Sequence, residues 1–121
     1  MSDDLLGMFN IEQEITRFQP TEATAGRRAE TLMKSDGLRV VLITMQAGAS
    51  LTEHAAPGPI TIQAVHGRFA VTFDDKMREL GSGDLIALAS DARHAVTALA
   101  DGAFLLTIGR RPSAHPELAC T

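Results

Sequence analysis

The chain has 121 residues, of which 45% are apolar, and this is the length and composition of one globular domain. Because its formal net charge is −4 at pH 7, a surface that binds nucleic acid or an anionic membrane is not expected. The single cysteine, Cys120, excludes an internal disulfide, a zinc finger and a CxxC redox site. No apolar run approaches the roughly 20 residues of a membrane span, and the acidic N-terminus is unlike a signal peptide, which together predict a cytoplasmic protein.

The first 30 residues differ from the rest and are predicted to form an N-terminal extension. Asp3 and Asp4 favour a short helix over residues 3–9, because acidic side chains stabilise the positive end of a helix. Polar and apolar residues alternate only partly in Ile11–Phe18, so the structure of this stretch stays open. The stretch Pro20–Gly26 is typical of a loop.

From Thr31 onward, short β-branched and apolar runs alternate with turn signals. Nine runs predict strands: Thr31–Lys34, Leu38–Met45, Ser50–Ala56, Ile60–Val65, Arg68–Phe73, Lys76–Leu80, Leu85–Ala89, His94–Leu99 and Ala103–Ile108. Asp74-Asp75 has the length of a two-residue hairpin loop. No helix separates consecutive runs, which disfavours a parallel sheet. The pattern predicts an antiparallel β-sandwich or barrel over residues 31–109 and a C-terminal tail over residues 110–121.

The histidines are the main candidates for chemistry. Four are present: His54, His66, His94 and His115. Strand alternation places Thr52, His54 and Ala56 on one face, so His54 is expected to face the barrel interior, and His94 begins another predicted strand. We expect His66 to be exposed at a turn and His115 to lie in the tail. The alternative is that His54 and His94 are partly buried structural histidines, each satisfied by a hydrogen bond.

Two stretches resemble the paired motifs of the cupin superfamily. Gly48, His54 and Gly67 match the first motif, and Gly83 and His94 match the second. Where the second motif usually has proline, glycine and asparagine, the chain has Ala89, Asp91 and Ala98. The resemblance covers residues 31–109. It implies an all-β, cupin-like double-stranded β-helix, a jelly-roll barrel of antiparallel strands with a short N-terminal extension.

The match departs from the cupin pattern at the metal ligands. The resemblance implies two histidines and a glutamate from the first motif and a histidine from the second, but Ala56 and Ile60 occupy two of these positions. His54 and His94 remain, whereas a catalytic zinc site usually has three protein ligands. Gln63 is a weaker candidate for a third ligand, because alternation turns it away from Ile60 unless a bulge intervenes. A divalent transition metal (zinc, nickel, iron or manganese) is therefore expected to bind weakly or not at all.

Two functional hypotheses follow, and both stay open. In the first, the chain binds a small apolar or aromatic molecule in the barrel. That pocket would be lined by Thr52, His54, Ala56, Ile60, Ile62 and His94. In the second, it is a metal-dependent enzyme of the dioxygenase or isomerase class that uses His54, His94 and an unidentified third ligand. A purely structural barrel is a further alternative.

The resemblance also implies a way of assembly. Small cupins are commonly homodimers that exchange an N-terminal strand or pack sheet against sheet. The resemblance therefore implies a homodimer here, with residues 1–30 either helical or exchanged between chains.

Overall fold

The computed structural model describes residues 4–109, except for the side chains of Glu53 and His54. The predicted tail, with His115 and Cys120, lies outside the described residues. A helix, α1 (Ile11–Arg17), and a 3₁₀ turn (Glu22–Thr24) precede the strands. The strands are β1 (Arg27–Lys34), β2 (Leu38–Met45), β3 (Ser50–His54), β4 (Ile60–His66), β5 (Phe69–Phe73), β6 (Lys76–Leu80), β7 (Leu85–Leu88), β8 (His94–Ala98) and β9 (Gly102–Gly109).

The strands form two sheets. Sheet A has the order β1-β2-β9-β4-β7, and sheet B has the order β3-β8-β5-β6. Neighbouring strands pair antiparallel throughout. All nine predicted strands are confirmed, and so is the all-β antiparallel barrel. The hairpin loop is confirmed too: Asp74 and Asp75 both have positive φ, at 49° and 58°, as the two central residues of a type I′ turn require.

The core lies between the two sheets. In β4, inward-facing residues alternate with outward-facing ones, so that Ile60, Ile62 and Ala64 are buried. The largest fully buried side chains are Phe69 of sheet B and Phe104 of sheet A. Their ring centroids lie 5.0 Å apart at an interplanar angle of 77°, an edge-to-face contact that ties the sheets together.

The N-terminal helix begins later than the sequence predicted. Residues 4–10 form no helix, so the expectation for residues 3–9 is wrong within the described part of the chain. Asn10 caps α1 instead, since its side chain accepts a hydrogen bond from the backbone N–H of Gln13 at 3.0 Å. The acidic residues Glu12 and Glu14 lie in the first turn of this helix, where they complement its dipole.

Helix α1 packs on the outer face of sheet A, the side away from sheet B. The hydroxyl of Thr44 donates a hydrogen bond to the carbonyl of Phe18 at 2.6 Å, just after the helix. His66 Nε2 lies 2.7 and 2.8 Å from the two carboxylate oxygens of Glu12. Thr44 and Leu42 are buried although both point outward. The extension therefore shields part of the sheet from water.

Strand β1 begins at Arg27, earlier than the predicted start at Thr31. The start of this strand could not be recognised in the sequence, because Arg28 and Glu30 are charged and charged side chains are more typical of loops. They fit here because β1 is an edge strand, where charged residues are common and prevent unwanted pairing. No helix among residues 4–109 is long and apolar enough to cross a membrane.

Candidate functional site

The glycines of the two motif-like stretches have a backbone role. Gly48, Gly67 and Gly83 all adopt positive φ, at 88°, 81° and 90°. Asp91 stands where the second motif usually has glycine, and it keeps a positive φ of 64°. Aspartate tolerates this region better than most residues. These turns fix where β3, β5, β7 and β8 begin, and so they position the strands that carry the histidines.

His94 is a buried polar residue at the start of β8. Its exposure is 2%, and it is the only buried titratable side chain among those that the structure describes. Its Nδ1 lies 3.1 Å from the backbone carbonyl oxygen of Ala92. A carbonyl oxygen only accepts, so Nδ1 carries a proton, and Nε2 is the nitrogen that has the lone pair when the imidazole is neutral. The ring is therefore oriented as an acceptor or as a metal ligand.

The backbone register brings the two candidate histidine positions together. His54 at the end of β3 pairs directly with His94 in β8. Directly opposed positions of an antiparallel pair share one face of the sheet. The predicted proximity of the two positions is thus supported by the backbone, while the metal-binding role of both residues stays a prediction.

A β-bulge in β3 changes the face of Thr52. The register shifts between Leu51 and His54, which inserts one extra residue into β3. Thr52 is exposed, whereas Leu51 packs against the core. The alternation that placed Thr52 on the face of His54 therefore does not hold, because the bulge breaks the two-residue period.

The remaining predicted pocket residues divide between the interior and the surface. Ile60 and Ile62 belong to the buried core, and Ala56 packs against it. Gln63 is exposed, opposite Leu85 of β7. The register shift in β4 comes after Gln63, between Ala64 and His66, so it does not turn Gln63 inward.

A cavity of about 550 Å³ opens beside His94. Its described walls are Phe73, Asp74, Asp75, Ala92 and Arg93. Phe73 is the register partner of His94, and Ala92 and Arg93 immediately precede it in the chain. The volume falls in the range of small-molecule sites, about 300–1,000 Å³. These five wall residues could not be recognised together in the sequence, because they come from two separate stretches of the chain: the end of β5 with its turn, and the loop before β8. The only available signal was that Arg93 adjoins His94.

Comparison with known proteins resolves the fold. No model of a protein family matches the chain, and no curated protein matches it. Solved structures do match. A cupin superfamily protein from Desulfitobacterium hafniense aligns with a TM-score of 0.68 and 21% identity, over 70% of this chain and 78% of that one. A cupin-2 domain containing protein from Shewanella frigidimarina aligns with a TM-score of 0.69 and 12% identity, over 84% and 94%. The chain is a small cupin domain by fold. KdgF from a Halomonas species is also similar, with a TM-score of 0.63 and 26% identity, over 71% and 82%.

The side chains at the ligand positions of this cupin fold do not fit the metal site that the fold family implies. The glutamate position is Ile60, whose hydrocarbon side chain is buried in the core, and the second histidine position is Ala56. Neither side chain has a lone pair to donate. Among the described side chains, no group of three or more histidine, cysteine, aspartate or glutamate residues is placed to hold a metal ion. The positions of His54 and His94 would supply two of the four ligands that the fold family implies.

Proposed function

We propose that this cupin binds a small molecule in the cavity beside His94 and that His94 orients it. The observation that carries the proposal is the buried imidazole, 2% exposed, with its proton fixed on Nδ1 by the carbonyl of Ala92. With a proton on Nδ1, Nε2 is the nitrogen of the ring that would act as an acceptor, and a ligand that donates an O–H or N–H group matches it.

The cavity walls support a ligand with an apolar body and a polar end. Phe73, the register partner of His94, and Ala92 offer apolar surface in the cavity. The carboxylates of Asp74 and Asp75 and the guanidinium of Arg93 lie at the same opening. Apolar surface beside charged groups matches a ligand that has an apolar body and a polar end. We therefore propose aromatic or aliphatic compounds that carry a hydroxyl or amide group.

The His94→Leu variant tests this proposal because it removes the acceptor while keeping a side chain of similar size. The probes are aromatic and aliphatic fragments that carry a hydroxyl or amide group. Binding is measured from the chemical-shift changes that they cause in the ¹H–¹⁵N NMR spectrum. Loss of a hydrogen bond to a buried group costs about 1–3 kcal/mol, so affinity for the hits should fall by roughly 5- to 150-fold. His66→Leu is the matched control, since His66 is exposed and contacts Glu12 instead.

A second variant protects the test against misfolding. Ala92→Leu adds side-chain volume to a cavity wall and leaves the His94 imidazole in place, so it should weaken binding of the same fragments. If fragments bind His94→Leu and Ala92→Leu as tightly as they bind the unaltered protein, the proposed site is wrong.

The second candidate function is the metal-dependent enzyme. One observation favours it: metal-binding histidines commonly donate their other ring N–H to a backbone carbonyl, as His94 does to Ala92. Elemental analysis of untagged protein separates the candidates. We expect a metal content well below one ion per chain, and we expect the same content in His94→Leu. A stoichiometric transition metal that is lost in the variant would instead require a third ligand and favour the enzyme.

A further inference from the structure

Two carboxylates lie side by side at the cavity next to His94. Asp74 and Asp75 are the consecutive residues of the hairpin loop between β5 and β6, and both line the cavity. Both residues are exposed, and neither carboxylate forms a hydrogen bond or an ion pair with another residue of the described part of the chain. Two negative charges are therefore held at one opening by a tight turn.

The hairpin loop by itself does not favour this pair of residues. A type I′ turn needs positive φ at both central positions, and its second position is usually glycine. Asp75 occupies that position with φ 58°, which is unfavourable for a residue with a side chain, and its charge repels that of Asp74. Both features destabilise the folded state, whereas a cation bound by the two carboxylates would offset them.

The other walls of the cavity indicate what kind of cation fits. Phe73 and Ala92 give apolar surface, and Arg93 sets one positive charge against two negative ones, so the described walls are net negative. Lys76 follows Asp75 in the chain but is not among these walls. The volume of about 550 Å³ is far larger than a bare ion needs, and the face of an aromatic ring attracts ammonium groups. An organic ammonium with an apolar body matches this lining better than a metal ion or an anion does.

We infer that Asp74 and Asp75 select ligands with an ammonium group, so that the cavity takes small aromatic amines that carry a hydroxyl at their other end. The inference rests on the proposed binding site, in which His94 accepts a hydrogen bond from the hydroxyl. An ammonium group has three N–H donors and can bond to both carboxylates at once. A ligand that ends in a carboxylate is repelled by the same pair, so charge decides between ligands of equal shape.

Three compounds of nearly equal shape test this selection. Tyramine, tyrosol and para-hydroxyphenylacetate share a phenol ring and end in an ammonium, a hydroxyl and a carboxylate, respectively. Their dissociation constants for the full chain are measured at neutral pH by titration of ¹H–¹⁵N NMR shifts. Tyramine is expected to bind at least about 5-fold more tightly than tyrosol, which is the effect of one ion pair open to water, and the carboxylate is expected to bind most weakly. High salt should reduce the advantage of tyramine.

The variant Asp74→Asn/Asp75→Asn removes both charges and keeps the size of both side chains. Asparagine adopts positive φ readily, so the hairpin should stay folded and the variant should be at least as stable to urea as the unaltered protein. Tyramine should lose its advantage, while the affinity for tyrosol should not change. Glu22→Gln/Asp36→Asn is the matched control, because it removes two negative charges from exposed residues that are not among the described cavity walls.

The outcomes separate this inference from the proposed binding site. If tyrosol binds and His94→Leu weakens its binding, but tyramine binds no more tightly, selection by the aspartates is wrong and the site stands. A preference for tyramine that persists in Asp74→Asn/Asp75→Asn, or that the control variant also abolishes, overturns the inference as well. If none of the three compounds binds to the unaltered protein, both the inference and the proposed site are wrong.

Discussion

Replacing Phe69 by alanine is expected to lower the free energy of unfolding by about 3–5 kcal/mol. The ring is fully buried between the sheets and packs edge to face on Phe104. Its removal loses apolar burial and leaves a cavity that the two sheets cannot close without moving apart. Urea unfolding should show a lower midpoint, and the melting temperature should fall by more than about 10 °C.

Two further variants assign this loss to the contact between the sheets. Met77→Ala removes a side chain that is exposed on sheet B, and it should change stability by no more than about 0.5 kcal/mol. A double-mutant cycle with Phe104→Ala should give a coupling of about 0.5–1.5 kcal/mol. If Phe69→Ala cost as little as Met77→Ala, the core between the sheets would be wrongly placed.

The strands could be predicted because their signals are local. Both ends of Leu38–Met45 and Lys76–Leu80 agree with the structure, since each run is bounded by turn residues and carries the strand pattern throughout. The motif resemblance then gave their arrangement, because Gly48 and Gly67 mark turns that the barrel needs. Helix α1 could not be predicted, because seven residues are too few for stable helicity without the sheet on which they pack.

The candidate site could be predicted only in part. His54 and His94 were matched by spacing to the two motifs, and the register pairs them directly. The exposure of Thr52 could not be predicted, since the bulge in β3 has no proline or glycine to mark it. The cavity walls were missed for a different reason. Phe73 and Ala92 come together only when β5 and β8 pair, which no local pattern encodes.

Gly67→Ala is expected to destabilise the protein by about 2–5 kcal/mol, more than its backbone conformation alone explains. Gly67 follows β4 with φ +81°, and a Cβ there would lie 2.5 Å from the carbonyl oxygen of Asp101 and 2.9 Å from Cα of Gly102. Both neighbours are backbone atoms, so neither can rotate away. The turn after β4 and the turn before β9 touch at this point, and alanine must push them apart.

Gly48→Ala is the matched control, because it separates strain from contact. Gly48 has a similar φ of +88°, but a Cβ there meets nothing within 4 Å. Alanine should therefore cost only the left-handed conformation, about 1–2 kcal/mol. The two variants are compared by urea unfolding. The comparison requires that the free energy of unfolding falls with urea concentration at the same slope in both. Equal losses would mean that the turns do not touch, whereas a larger loss at Gly67 would mean that this motif glycine is required by the approach of two backbones as well as by its own φ.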